Sequence, residues 1–151
     1  MTTGLLDVTA AVRACVFTLV GEPFALDVAR IRELTVFDGW TTVPRASRHV
    51  IGAANLRGDV VPIADARALL GLPAGRGGRR LRALVVAADG LEAALVIDEV
   101  LGLEAFAGVT PLEDAGPQTH GEWALGFLRR EDRLVPLLDP ARLLRALREE
   151  S

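Results

Sequence analysis

Few residues in this chain are equipped for covalent or acid–base chemistry. Its 151 residues include two histidines, His49 and His120, a single cysteine, Cys15, and serine only at Ser47 and Ser151. Lysine and tyrosine are absent, so all 17 basic residues are arginine. A P-loop lysine, a kinase lysine and a Schiff-base lysine are therefore excluded together. Ser47 and His49 lie two positions apart, but nearness along a chain does not assemble a triad, and no nucleophile signature surrounds them. Two histidines and one cysteine, widely separated, make a poor zinc set. His49 is expected on a helix surface and His120 in a loop. No catalytic residue, metal ligand or cofactor is expected. One further pair, Asp65 and Asp139, has the residue type for acid–base work, but each precedes a short apolar helical stretch whose free N–H groups its carboxylate can accept. Asp139-Pro140 is the clearest case, since proline suits the first helical position. The capping reading is preferred.

The elements that must position these residues are mostly strands. Half of the residues are hydrophobic, enough for one domain or two small fused lobes with a shared core. Short runs rich in Val, Ile, Leu, Phe and Thr are broken by Gly, Pro and Asp, and only two short helices stand out. Strands are expected at Cys15 to Val20, Phe24 to Val28, Arg32 to Phe37, Val50 to Leu56, Val60 to Ala64, Arg82 to Ala88, Glu92 to Ile97, Val100 to Phe106, Glu122 to Leu128 and Leu134 to Leu138. That pattern predicts β-barrels or a sandwich. The stretch from Gly71 to Arg80, rich in glycine and charge, reads as a flexible connection near the middle of the chain.

Composition narrows the partners. A formal charge of −3 with scattered arginines gives no broad positive field for nucleic acid. The first residues lack the basic region of a leader, and Asp7 interrupts the little apolar character they have. Every apolar stretch is far shorter than the roughly 20 residues of a membrane-spanning helix. One cysteine cannot form an intramolecular disulfide, in keeping with a reducing cytosol. A mean hydropathy of +0.32 fits either apolar area reserved for partners or a well-filled core of alanine and leucine.

The chain also repeats itself. Gly52, Val61-Pro62, Asp65 and Leu69-Leu70 recur as Gly126, Val135-Pro136, Asp139 and Leu143-Leu144, at a constant offset of 74. A looser match joins Phe24-Ala25-Leu26-Asp27-Val28 to Leu95-Val96-Ile97-Asp98-Glu99. Features in both copies are expected to serve the fold, and features in one copy to serve a task. The turn Asn55-Leu56-Arg57-Gly58-Asp59 is single-copy, its counterpart being Arg129-Arg130-Glu131-Asp132. Hairpin punctuation accounts for Gly58 but leaves Asn55, the sole asparagine, and Arg57 unexplained.

Val50 to Asp65, with Asn55-Leu56-Arg57-Gly58-Asp59 at its centre, resembles the signature stretch of the CheW-like family. Phe17-Thr18-Leu19 through Val28 resembles the family's first hairpin, Ile31 to Leu34 its next strand, and Thr42-Val43-Pro44 through Gly52 its short helix approach. Leu95 to Val100 resembles its central strand, and Leu134 to Leu144 its closing strand and helix. The likeness covers roughly residues 14 to 147. Ala64 and Ala66 replace larger aliphatics, and Gly102 stands where an acidic residue is frequent.

The resemblance implies a mainly β fold of two small SH3-like five-stranded barrels packed together with short helices. It implies an N-terminal segment 1–13 and one domain over 14–148, with lobes at about 14–72 and 81–148 joined by linker 73–80, and with strands free to cross between lobes. It further implies a non-enzymatic cytoplasmic adaptor that couples the helical tip of a chemoreceptor to the regulatory domain of a CheA-type histidine kinase. Receptor contact is expected at Glu33, Val36, Asn55 and Arg57, in a groove between barrels with Val36 as anchor and Glu33–Arg57 as an ion pair beside it. Gly52 and Gly58 are expected to admit the kinase domain closely. The alternative is a specialised relative that binds receptor, or another partner, without kinase coupling. The chain is expected to be a whole protein, neither part of a kinase nor of a receiver fusion.

Overall fold

The structure is a computed structural model that describes residues 9–44, 48–73, 78–117 and 120–149. Its elements run β1 (Val12–Leu19), β2 (Glu22–Asp27), β3 (Ile31–Phe37), β4 (Val50–Leu56), β5 (Asp59–Asp65), α1 (Ala66–Leu69), β6 (Leu81–Ala88), β7 (Leu91–Val96), β8 (Glu99–Phe106), β9 (Ala124–Arg130), β10 (Arg133–Leu138) and α2 (Pro140–Glu149). All ten expected strands are present. The helix approach expected between Thr42 and Gly52 falls partly on residues 45–47, outside the described residues. His49, which is described, sits in a turn leading into β4 and not on a helix.

Hydrogen bonding sorts the strands into two five-stranded sheets, ordered β8-β1-β2-β10-β9 and β3-β6-β7-β5-β4. Each curls until its ends meet. Thr41, just beyond β3, exchanges two backbone hydrogen bonds of 2.8 Å with Ala53 on β4, and Thr110, just beyond β8, exchanges bonds of 2.7 and 2.8 Å with Phe127 on β9. Closure removes the unpaired sheet edges that would otherwise invite aggregation. The result is two small SH3-like barrels.

The barrels do not coincide with the halves of the chain. Hairpin β1–β2 joins β8, β9 and β10 of the second repeat, while hairpin β6–β7 joins β3, β4 and β5 of the first. The exchange is reciprocal down to register: Leu137 pairs in parallel with Ala25, and Ile63 with Ala94. The repeat offset is 74 for β4–β5–α1, but 69 for the preceding hairpin, so Val20-Gly21 corresponds to Asp89-Gly90. This corrects the looser sequence match by two positions: Asp27 is equivalent to Val96, not to Asp98.

The reason for continuous apolar runs in β1 and β6 is that both faces of these strands are buried. Cys15, Phe17 and Leu19 point with Phe24, Leu84, Leu95 and Leu143 into a core shared by the two barrels and both helices. Ala14 and Val16 point instead into the first barrel with Phe106, Leu128 and Val135. Val85 and Ala83 fill the second with Phe37, Val61 and Ile63. Ala64 and Ala66, departures from the family pattern, belong to the shared core and so face no partner. Asp65 and Asp139 cap their helices as expected: Asp65 Oδ1 accepts from Arg67 and Ala68 N–H at 3.0 and 3.3 Å, Asp139 Oδ1 from Ala141 and Arg142 N–H at 3.1 and 3.3 Å.

Candidate functional site at a barrel mouth

The single-copy turn closes hairpin β4–β5. Arg57 and Gly58 have φ of +54° and +92°, the paired left-handed geometry of a type I′ turn, whose twist matches the strands it joins. Asn55 Oδ1 accepts the Gly58 N–H at 3.0 Å, so the carboxamide supplies an acceptor to the turn itself. Asn55 and Gly58 thus each have a conformational reason to exist. Arg57 does not, because a left-handed residue without a local side-chain bond gains nothing from being arginine.

What Arg57 does is reach across the barrel mouth. Its Nη2 lies 3.5 Å from both carboxylate oxygens of Glu33. Glu33 is on β3, at the far end of the sheet from β4, so the pair spans the seam where the barrel closes. Arg32 and Glu92, paired at 3.1 Å, stand on the same rim with Asp59, around an open hollow of about 350 Å3 floored by Leu56, Val61 and Val85. The Arg57 side chain is 80% exposed. At 3.5 Å the contact is longer than a strong charge-assisted bond, and solvent screens it, so the guanidinium remains available to another carboxylate.

The remaining expected residues do not converge there. Alternation along β3 puts Val36 on the opposite face from Glu33, at 48% exposure. It lines a different hollow, of about 560 Å3, with Trp40, Ile51, Arg67, Arg80, Arg82 and Asp98. The single groove expected to hold Glu33, Arg57 and Val36 is therefore two surfaces. Gly52 is buried, and its close approach is made from within the chain. A Cβ there would stand 2.6 Å from the Thr41 carbonyl oxygen and 2.9 Å from Trp40 Cδ1. That packing accounts for the glycine without a partner. Gly58 by contrast faces open space.

Further exposed apolar residues escaped the sequence reading. Leu34 beside Val36 on β3, and Leu101 and Leu103 on β8, are 45–61% exposed. Alternation within these strands was the available signal. His120 adopts φ +66° and sets its ring edge against Phe24 at 5.3 Å, a packing role in a loop. Cys15 is buried, and desolvation pushes its thiol pKa up, which disfavours the reactive thiolate. Among the described residues no group of three or more His, Cys, Asp or Glu could hold a metal ion, and no helix is long and apolar enough to cross a membrane.

Twin closed barrels with strands exchanged between repeats define a double-barrel protein of the SH3-like class. The CheW-like domain profile matches residues 13–148, and the chain belongs to that family. It is 30% identical to the chemotaxis protein CheW of Helicobacter pylori over 132 residues, covering 85% of this chain and 79% of that protein. It is 32% identical to protein PilI of Pseudomonas aeruginosa over 112 residues, 70% of this chain and 63% of the relative. The crystal structure of scaffolding protein TtCheW from Thermoanaerobacter tengcongensis superposes with a TM-score of 0.79 at 22% identity, covering 93% of this chain and 97% of that one. The likeness fixes the fold.

Proposed function

We propose that the chain is a cytoplasmic, non-enzymatic adaptor that holds the helical tip of a chemoreceptor and the regulatory domain of a CheA-type histidine kinase in one signalling array. Family membership supports the adaptor role. The observation that carries the docking assignment is the Glu33–Arg57 rim, polar, loosely paired and present in only one of two equivalent barrels. Val36 supplies an aliphatic anchor on the neighbouring surface, with Leu34 beside it, in the manner of a groove that receives an amphipathic helix. Gly58 leaves the turn backbone open to a close partner, here the kinase domain.

Two arms of one experiment test this reading. Purified chain is titrated separately with a chemoreceptor helical-hairpin fragment and with the regulatory domain of a CheA-type histidine kinase from the same organism. Binding to both is expected. Binding to the receptor fragment alone would establish the specialised adaptor without kinase coupling, and binding to neither would end the proposal.

A further inference from the structure

The two short connections that carry the chain from one barrel to the other are built differently. Between β2 and β3 lies the single turn Val28–Arg30, held by a local cap in which Asp27 Oδ1 accepts the Ala29 N–H at 2.9 Å. Between β7 and β8 there are only Ile97 and Asp98, and Asp98 is bound on every side. Its Oδ1 accepts from Arg67 Nε at 3.2 Å, and its Oδ2 accepts from Arg67 Nη2 at 2.6 Å and from the Val20 N–H at 2.7 Å. Its carbonyl accepts from Arg82 Nη1 at 2.7 Å, and its own N–H donates to the Thr18 carbonyl at 3.0 Å. Thr18 and Val20 belong to one barrel, Arg82 to the other, and Arg67 to the helix that follows β5.

Val20 supplies a second observation. Its φ of +52° is a region in which a β-branched residue is a genuine outlier. The equivalent position in the second repeat is Asp89, also at +52°, a residue type that tolerates it. Strain of this kind persists where the surroundings over-determine the backbone, and here the Asp98 carboxylate grips the strained N–H.

Arg67 and Arg82 also line the hollow that contains Val36, Trp40 and Ile51. Three of the roughly four acceptor positions of the Asp98 carboxylate are already filled, which leaves little for a partner to bind. We infer that Asp98 is a positioning residue: its carboxylate clamps the β7–β8 crossover and aims Arg67 into the Val36 hollow, where the carbonyl of the clamped crossover holds Arg82, so that docking there depends on a residue whose bonds are spent inside the chain. The docking half rests on the receptor reading above; the clamp does not.

Asp98→Ala and Asp27→Ala in the full chain separate the two crossovers. In Asp98→Ala, amide exchange at Val20 accelerates about tenfold, the Arg67 Nε–H signal loses protection, and affinity for the receptor helical-hairpin fragment drops about tenfold, the scale of one lost charge-assisted hydrogen bond. In Asp27→Ala, exchange at Val20 and affinity stay at the level of the unsubstituted chain even if the melting temperature falls. Unchanged Val20 exchange in Asp98→Ala overturns the clamp. Equal loss of affinity in both variants overturns the positioning role, since general destabilisation would then suffice. If the unsubstituted chain fails to bind the fragment, the receptor reading and the docking half fall together, and Val20 exchange still decides the clamp.

Discussion

The two barrel mouths come from one repeat and are spanned by the same kind of contact, yet they differ in tightness. In the barrel containing β8 and β9, Arg130 Nε stands 3.0 Å from both oxygens of Glu104, with side chains only about a third exposed. In its twin, Arg57 reaches Glu33 at 3.5 Å from a side chain that is 80% exposed. The positions equivalent to Glu33, Arg57 and Asp59 are Gly102, Glu131 and Arg133. A duplicated frame thus lets one rim be tied shut for the fold while the other stays loose and polar. The absence of an acidic side chain at Gly102 belongs to the tied rim, where the carboxylate comes from Glu104, two positions further along the same strand.

The largest effect expected is at Gly52. Gly52→Ala drives a methyl group against the Thr41 carbonyl, a backbone atom that cannot swing aside, and should cost about 3 kcal/mol by loosening the seam of the open-rimmed barrel. Denaturant unfolding measures it. An unchanged midpoint together with lost kinase binding would place Gly52 on the partner surface that the family resemblance implies. Next comes the tied rim: Glu104→Gln should lower stability by about 1 kcal/mol, against a few tenths for Glu33→Gln. Equal losses in the same unfolding assay would erase the distinction between the mouths.

Most of the fold was legible because its signals are local. Alternating apolar runs, turn dipeptides and aspartate caps lie within a few residues of what they specify, and each repeated element occurs twice. The exchange of hairpins between barrels is legible only through the family resemblance, which allows strands to cross between lobes, because the pairings of β1 with β8 and β3 with β6 leave the same periodicity in the sequence as pairings within each half. The packing that accounts for Gly52 is hidden for a related reason: nothing in the adjacent sequence says that residues 40–41 fold back over it. The conformational role of Asn55 is hidden in the sequence because its turn-stabilising bond depends on the geometry of Arg57-Gly58. Glu33 and Arg57, 24 positions apart, were joined only through the resemblance to a family. The resemblance groups Val36 with them, whereas its odd spacing from Glu33 places it on the other face of the strand.

A comparison of the equivalent turns gives the next expected effect, of opposite sign. Val20-Gly21 and Asp89-Gly90 occupy the same place in the two hairpins with the same left-handed first residue. Asparagine adopts that conformation far more readily than valine, and a 39% exposed side chain forfeits little buried area. Val20→Asn should therefore raise stability by about 1 kcal/mol, seen as a higher melting temperature. A decrease would show that the valine side chain holds the barrels together more than its backbone strains them.

The smallest stability change should come with the sharpest functional one. Arg57→Glu replaces a loose attraction to Glu33 with a repulsion across an open, solvated rim, which changes unfolding free energy by less than about 0.5 kcal/mol. The turn survives, since Gly58 and the Asn55 bond supply its geometry. Receptor co-sedimentation should nevertheless fall, because the rim loses its exposed guanidinium and gains a fourth carboxylate beside Glu33, Asp59 and Glu92. Melting and co-sedimentation measured on the same preparation decide the point: unimpaired co-sedimentation would remove the open rim from the docking surface and leave the looseness of Glu33–Arg57 without a function.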